Sequence, residues 1–425
     1  MGAGGRPSSA SNEAVTYERR KFLKLALRAG LGIPAAQLLT AYGPIGVAAR
    51  VASAQESAPI RIGFIALTDC ASIVMADHLG YFAENNLSVE VIKQASWPAT
   101  RDSLLNGEID AAHCLFSMPV SLAAGIGGQP DQILKIAMTI SNNGQAITLK
   151  NDLAAAGYGD LGAVGATLGQ LENGTLAMTF PGGTHDTWLR YWLLAAGIGM
   201  DQLQIIPIPP PQMVANMKVN TMDGFCVGEP WNAQAVAEDI GFTAITSQDI
   251  WQHHPEKALV VNPAFAETRT EELKGVMRAV LRASRWLDDP VNRSEAATVV
   301  GTPAFVGAEP AVIEGRMLGN YDLGAGLGER TYTEDSMRFF RDGLVNAPRR
   351  SHVMWFLAQY RRFGYLTQDP PYQEIADNLI IPDLYQEVAA AEGIAVPDDD
   401  LAPFEVKLDG VEFDPASPEK EAVRP

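Results

Sequence analysis

A chain of 425 residues exceeds the usual size of one domain, so two compact lobes are expected. Apolar residues at 47% and charged residues at 19% are an ordinary globular balance, which excludes a disordered or fibrous chain. The formal charge of −18 argues against nucleic acid and anionic membrane surfaces as partners, and any bound anion would need an enclosed, locally positive site.

The first 54 residues read as a leader rather than as fold. Glu18-Arg-Arg-Lys-Phe-Leu-Lys24 is a basic twin-arginine segment, followed by a charge-free run from Ala29 to Ala49. Ala52-Ser-Ala54 then offers a cleavage site. Pro34 and Pro44 make the run a poor membrane-spanning helix, so cleavage is favoured over an uncleaved anchor. The segment contains no cysteine for a lipid anchor. The expected compartment is the periplasm, reached by the twin-arginine route.

From Ile60 onward, strands alternate with helices. Strands are expected at 60–66, 87–94 and 110–115, with helices after Ser72 and after Ser96-Trp97-Pro98. The alternation resumes with strands at 146–149, 176–180, 203–207 and 223–228. This pattern predicts an α/β fold of βαβ units on parallel sheets, with ligands at the carboxyl ends of the strands. Residues 150–245 read as a second lobe inserted into a first lobe of 55–149 and 246–425. Crossings near Lys150 and Thr246 would form the hinge. Longer helices follow at 271–288, 333–344 and 351–363, and this helical third is expected to pack on the first lobe.

The stretch from Phe180 to Gly197 holds a glycine turn leading into a helix. Gly182 and Gly183 permit a sharp turn, Thr184 is a suitable N-cap, and Leu189, Trp192 and Leu193 recur at helical spacing. Unpaired N–H groups at such a turn favour an anion, and His185 stands beside them. The residues alone equally allow a helix start whose histidine only decorates a turn. Other polar groups fall at strand ends and helix starts, where a cleft gathers them: Ser96, Trp97, Gln145 and Lys257.

No reaction chemistry can be assigned. Cys70, Cys114 and Cys226 are an odd set for disulfides, and His113 and Cys114 point to opposite faces of a strand. His253 and His254 are consecutive and lack metal-ligand spacing, and no phosphate loop or calcium loop appears. The expectation is a binding protein with no catalytic residues, no metal and no cofactor.

Several longer motifs occur in order: Gly63-Phe-Ile-Ala-Leu-Thr-Asp-Cys-Ala71, Lys93-Gln-Ala-Ser-Trp97, Asn143-Gly-Gln-Ala-Ile147 and Pro181-Gly-Gly-Thr-His-Asp186. They continue with Pro210-Pro-Gln-Met-Val-Ala-Asn-Met-Lys218, Gly224-Phe-Cys-Val-Gly-Glu-Pro-Trp-Asn232, His254-Pro-Glu-Lys257 and Arg316-Met-Leu-Gly-Asn-Tyr-Asp322. From Ile60 to the C-terminus the chain resembles the nitrate/bicarbonate family of periplasmic solute-binding proteins of ABC importers. The resemblance implies a two-lobed type II binding-protein fold that closes on its anion and docks on a membrane permease. It also implies ligand contacts at Trp97, Gln145, His185 and Lys257. Nitrate and nitrite accept hydrogen bonds only, so donors and a positive charge suit them. Bicarbonate-binding members carry an acidic residue and calcium where Lys257 stands, so bicarbonate is the alternative ligand. Glu256, next in the chain, keeps that alternative in view. An enzyme on the same fold, such as a thiamine-pyrimidine synthase, would need a cysteine-rich motif that this chain lacks.

Overall fold

The computed structural model describes residues 58–424, so the expected leader lies outside the described residues. The chain first lays down β1 (Ile60–Phe64), β2 (Val89–Lys93), β3 (Ala111–Leu115) and β4 (Lys135–Asn142). It then crosses to a second sheet for β5 (Gln145–Lys150), β6 (Thr175–Met178), β7 (Gln204–Pro207), β8 (Gly224–Gly228) and β9 (Gly241–Thr246). It returns to the first as β10 (Pro255–Val261). The orders are β2-β1-β3-β10-β4 and β7-β6-β8-β5-β9, which is one topology used twice in a two-lobed α/β fold.

Neither sheet is purely parallel as the alternation predicts. In each, the strand arriving from the other sheet runs antiparallel to both neighbours: β10 between β3 and β4, and β5 between β8 and β9. β5 joins the second sheet, so the outward passage falls at residues 143–144 rather than near Lys150. β3 and β8 are buried along their whole length, which explains their continuous small and apolar side chains in place of alternation.

The helices that matter for function are α1 (Ala71–His78), α2 (Trp97–Leu105), α3 (Thr184–Ala195), α4 (Trp231–Ala237), α5 (Thr270–Asp288), α6 (Pro310–Met317) and α7 (Arg350–Arg362). In α5 the buried residues Leu273, Val276, Met277, Val280, Leu281 and Leu287 form one stripe at helical spacing. Glu271 and Glu272 in its first turn and Arg285 in its last oppose the helix dipole.

The C-terminal third does pack on the first sheet, where α5 lies against α1 and β4. It also reaches the second. Leu323 accepts a hydrogen bond from the Thr243 N–H at 2.8 Å, and Arg316 on α6 donates to Thr243 Oγ1 at 3.2 Å. α7 touches both lobes, with Phe356 against Phe116 at 6.0 Å and Trp355 against Trp188 at 5.7 Å between ring centres.

The expected helix at 333–344 does not form. Asn142 and Arg338 exchange backbone hydrogen bonds of 2.8 and 3.2 Å, and Asn143 Nδ2 donates to the carbonyls of Asp335 and Ser336, both at 3.1 Å. Asp288, at the end of α5, accepts the N–H groups of Phe339, Phe340 and Arg341 at 2.9, 3.1 and 2.8 Å. The backbone is thereby committed elsewhere, and Arg341, Asp342 and Gly343 take left-handed φ values of 45°, 56° and 90°. This segment clasps the outward crossing, where Gly144 has φ 85° and a Cβ would lie 2.4 Å from Met337 Cε. Asp288→Ala would leave three backbone donors without their acceptor. The expected cost is about 3 kcal/mol, read as a lowered urea midpoint. An unchanged midpoint would mean that packing alone holds the clasp.

Candidate functional site

The carboxyl ends of β1, β2 and β3 lie beside the N-terminal end of antiparallel β10, because Leu115 pairs with Lys257. The turn after β1 supplies Asp69, the start of α2 supplies Trp97, and β3 supplies His113. From the second sheet come Gln145 at the start of β5 and Thr184, His185 and Trp188 on α3. Trp97, Gln145, His185, Glu256 and Lys257 all have 0% exposure, so the two lobes meet on a closed polar cluster.

Lys257 is its centre. The ammonium lies 2.7 Å from Asp69 Oδ2 and 2.8 Å from Glu256 Oε1. Neighbouring strand residues normally face opposite ways, yet Glu256 and Lys257 meet because the register of β10 against β4 slips on both sides of Lys257. Glu256 Oε1 also accepts from Thr184 Oγ1 at 2.5 Å, and its Oε2 accepts from Trp188 Nε1 at 3.0 Å. Asp69 Oδ1 accepts from His113 Nε2 at 2.7 Å, and Asp69 Oδ2 from Gln145 Nε2 at 3.3 Å. His185 Nε2 donates to Gln145 Oε1 at 2.7 Å, while its Nδ1 accepts from the Thr179 hydroxyl at 2.6 Å.

The charges follow from burial and pairing. Burial resists ionisation of both carboxyls, but the lysine and the neighbouring histidines outweigh it and hold Asp69 and Glu256 below the usual carboxylate range. Burial also keeps His113 and His185 below the ordinary histidine value and pushes His254 down to about 4. At neutral pH the cluster therefore holds one cation, two carboxylates and three neutral imidazoles. Trp97 Nε1 is buried without a hydrogen-bond partner among the described residues, and Lys257 Nζ lies 5.8 Å from the centre of that indole ring.

Among the sequence-derived candidates, the structure brings Trp97, Gln145, His185 and Lys257 together. Ser96 adjoins Trp97, but its hydroxyl caps α2 by accepting from Ala99 N at 3.2 Å. The glycine turn is differently arranged from the expectation. Gly183, not Thr184, caps α3, which frees the Thr184 hydroxyl for Glu256. The Gly182 N–H is taken by Asp186 Oδ2 at 2.8 Å and the Gly183 N–H by Phe180 O at 2.8 Å, so neither points to an unfilled anion cradle. Only Gly182 has positive φ, at 68°, while a Cβ on Gly183 would lie 2.8 Å from Phe180 O and from Leu115 Cδ1. These glycines are required by packing. Sequence reasoning does not place Asp69, His113 or Trp188 in the cluster, and it takes Glu256 only as support for the bicarbonate alternative. The motif that contains Asp69 was visible, but it reads as a helix cap. Among the described residues no group of side chains is arranged to hold a metal ion.

A closed polar cluster between two sheets of identical topology, without an activated nucleophile, defines a two-lobed solute-binding protein. The chain belongs to the NMT1-like family, whose model matches residues 53–301. It is 38% identical over 393 residues to the nitrate/nitrite binding protein NrtA of Nostoc sp., covering 88% of this chain and 87% of the relative. The crystal structure of the periplasmic nitrate-binding protein NrtA from Synechocystis superposes with a TM-score of 0.82 at 34% identity, covering 86% of this chain and 97% of that one. The bicarbonate-binding protein CmpA of Synechococcus elongatus is more distant, at 27% identity over 391 residues, 87% of this chain and 86% of its own.

The buried imidazoles make the fold sensitive to acid. With its folded pKa near 4, His254 stays neutral where the unfolded chain, with an ordinary value near 6.5, takes up a proton. Stability is thus lost as pH falls from about 6.5 to about 4, on the order of 3 kcal/mol from this residue. His254→Gln should flatten the dependence of melting temperature on pH across that window. Parallel curves for the two proteins would show that His254 titrates alike folded and unfolded.

Proposed function

We propose that this protein is the periplasmic solute-binding component of an ABC importer, that it captures nitrate or nitrite between its lobes, and that it delivers the anion to a membrane permease. The observation that carries this reading is the meeting of Lys257 with Gln145, His185 and Trp97 in one buried cluster drawn from both sheets. A planar monoanion with acceptors alone is matched by an ammonium, an imidazole N–H, an amide and an indole N–H that has no other partner. These four residues are the proposed ligand contacts. Ser96 positions Trp97, and Gly182 and Gly183 seat α3. The kinship to nitrate/nitrite binding proteins supports the same reading, and kinship to binding proteins weighs against an enzyme.

Bicarbonate with calcium is the competing ligand, and Asp69 and Glu256 are the carboxylates a calcium ion would seek. The ammonium of Lys257 already stands 2.7 and 2.8 Å from them, in the place such a cation would occupy. In a thermal-shift screen, nitrate and nitrite should stabilise the protein, whereas bicarbonate with calcium, sulfonates and pyrimidines should not. His185→Ala removes one donor to a charged ligand and should weaken nitrate binding roughly 10- to 150-fold. Lys257→Met alone would strand two buried carboxylates, so it is best combined with Asp69→Asn, which preserves the net charge of the cluster. Calorimetry should find no nitrate binding to that double variant. Wild-type affinity there would move the anion to another site.

The division into lobes at 55–149 with 246–425 and 150–245 is refined in this reading to follow the sheets, with the hinge at 143–144 and 247–254. No described helix is long and apolar enough to cross a membrane. The twin-arginine segment and Ala52-Ser-Ala54 support export of a folded chain to the periplasm. Replacing Arg19 and Arg20 together by lysine should leave precursor in the cytoplasm, detected by fractionation and immunoblotting. Normal amounts of mature protein in the periplasm would refute that route.

A further inference from the structure

Behind the hinge lies a second cavity, of about 310 Å³, separate from the buried cluster. It is lined by residues at or beside both crossings, Asn142 next to the outward one and Trp251, Gln252, His253 and Pro255 along the return one, and closed by the C-terminal third. That volume is within the range of small-molecule sites. One wall is aromatic: Trp251 stacks on Phe404 with ring centres 4.4 Å apart and planes 6° from parallel, and His352 abuts both edge-on at 5.3 and 5.4 Å.

The opposite chemistry is cationic. Arg349 donates through Nη2 to Ala402 O at 2.7 Å, but its Nε is buried without a partner. Arg341 has no ion pair among the described residues, and it sits in the left-handed segment fixed by Asp288. Strained backbone of this kind is found preferentially where a side chain must be aimed. Asp335 and Asp288 attract Arg341 from a distance, but burial outweighs them and lowers its hold on its proton, as it does for Arg349. Asp335 is itself engaged by Gln252 Nε2 at 2.6 Å, and Asp288 by three backbone N–H groups. Glu405 is exposed at the rim and His352 is held neutral by burial. Two partly desolvated guanidiniums beside an aromatic wall match a planar organic molecule bearing one carboxylate.

We infer that this hinge cavity is a binding site for a small planar carboxylate, held by Arg341 and Arg349 with its body against Trp251 and Phe404. The cavity touches both lobe connections, so a ligand here fits one lobe arrangement better than another and biases closure. The contact to the main cluster is short: Trp251 lies edge-on to Trp188 at 6.0 Å, and Trp188 donates to Glu256. Occupancy at the hinge therefore changes anion affinity in the cluster, and the reverse holds by linkage. Only this coupling rests on the nitrate reading, while the site itself is tested without nitrate.

The test uses sodium benzoate as probe and benzamide as its neutral counterpart, with binding to the mature protein followed by calorimetry and tryptophan fluorescence. Benzoate should bind saturably, and benzamide at least tenfold more weakly. Arg341→Gln should weaken benzoate at least tenfold and leave nitrate affinity in the absence of benzoate unchanged. Since the Arg341 side chain makes no hydrogen bond among the described residues, that variant keeps the fold. Adding Arg349→Gln should abolish benzoate binding. Saturating benzoate should shift nitrate affinity at least threefold without preventing nitrate from binding. Equal affinity in Arg341→Gln, or no saturable signal up to about 10 mM, overturns the site. One-for-one displacement by nitrate would place benzoate in the main cluster and overturn it equally. Benzoate binding with unaltered nitrate affinity would overturn the coupling.

Discussion

The ammonium of Lys257, wholly removed from water between Asp69 and Glu256, is the constraint around which the site is built. An isolated charge cannot be buried at that depth, so the lysine requires its carboxylates and they require it. Each carboxylate then has oxygen lone pairs left to fill, and it fills them from different parts of the chain. Asp69 draws His113 from β3 and Gln145 from β5. Glu256 draws Thr184 and Trp188 from α3 in the second lobe. One buried cation thereby organises a hydrogen-bond shell that joins both sheets. Three imidazoles stay neutral nearby, because burial disfavours their charged form more than the carboxylates favour it.

The repeated topology explains why this meeting point exists. In each sheet the antiparallel strand is the one received from the other lobe, so its leading end lies at the carboxyl ends of the parallel strands. Gln145 heads β5 and Lys257 lies near the head of β10. The two crossings thus deliver a donor each to the interface that they connect. The C-terminal third adds a restraint, since α7 packs on Phe116 of one lobe and on Trp188 of the other. Tyr360 on α7 also donates to both Ser117 O and Gly182 O. Separation of the lobes must break one of those faces or move α7 with its partner.

Much of this was legible in the sequence, for reasons that also mark where legibility ends. The β-branched run of β1 and the apolar stripe of α5 are local signals, and both elements formed where periodicity put them. Strand direction is not local, so the antiparallel β5 and β10 could not be read from alternation. The segment 333–344 has apolar residues at plausible helical spacing, yet its N–H groups go to Asp288, some fifty residues earlier, and to Asn142. No short window contains that competition. Trp97, Gln145, His185 and Lys257 belong to a wider polar set legible at element boundaries, and only the family resemblance narrows that set to these four. Glu256 enters the sequence reading only as a rival to Lys257, and the register slip beside Lys257 instead puts both in the cluster. Of the two glycines of the α3 turn, Gly182 alone takes a left-handed φ, and Leu115, Phe180 and Ser121 crowd the pair.

The same lysine bears on selectivity. The charge of a pair of buried carboxylates can be offset by a divalent metal taken from solution or, in part, by a side chain attached to the chain itself. The metal leaves the site anion-competent only when loaded, and its own charge suits a ligand that also presents a hydroxyl or a second charge. The side chain is always present, carries a single charge, and offers only hydrogen-bond donors. With Lys257 in that position, one of the three ammonium protons stays available once Asp69 and Glu256 are served, and the indole N–H of Trp97 stays free as well. An anion that must itself donate a proton would compete for carboxylate oxygens that already accept from Lys257, His113, Gln145, Thr184 and Trp188. An anion that only accepts meets the donors that the two carboxylates leave over. The cluster selects by what remains unpaired, and what remains unpaired is set by the lysine.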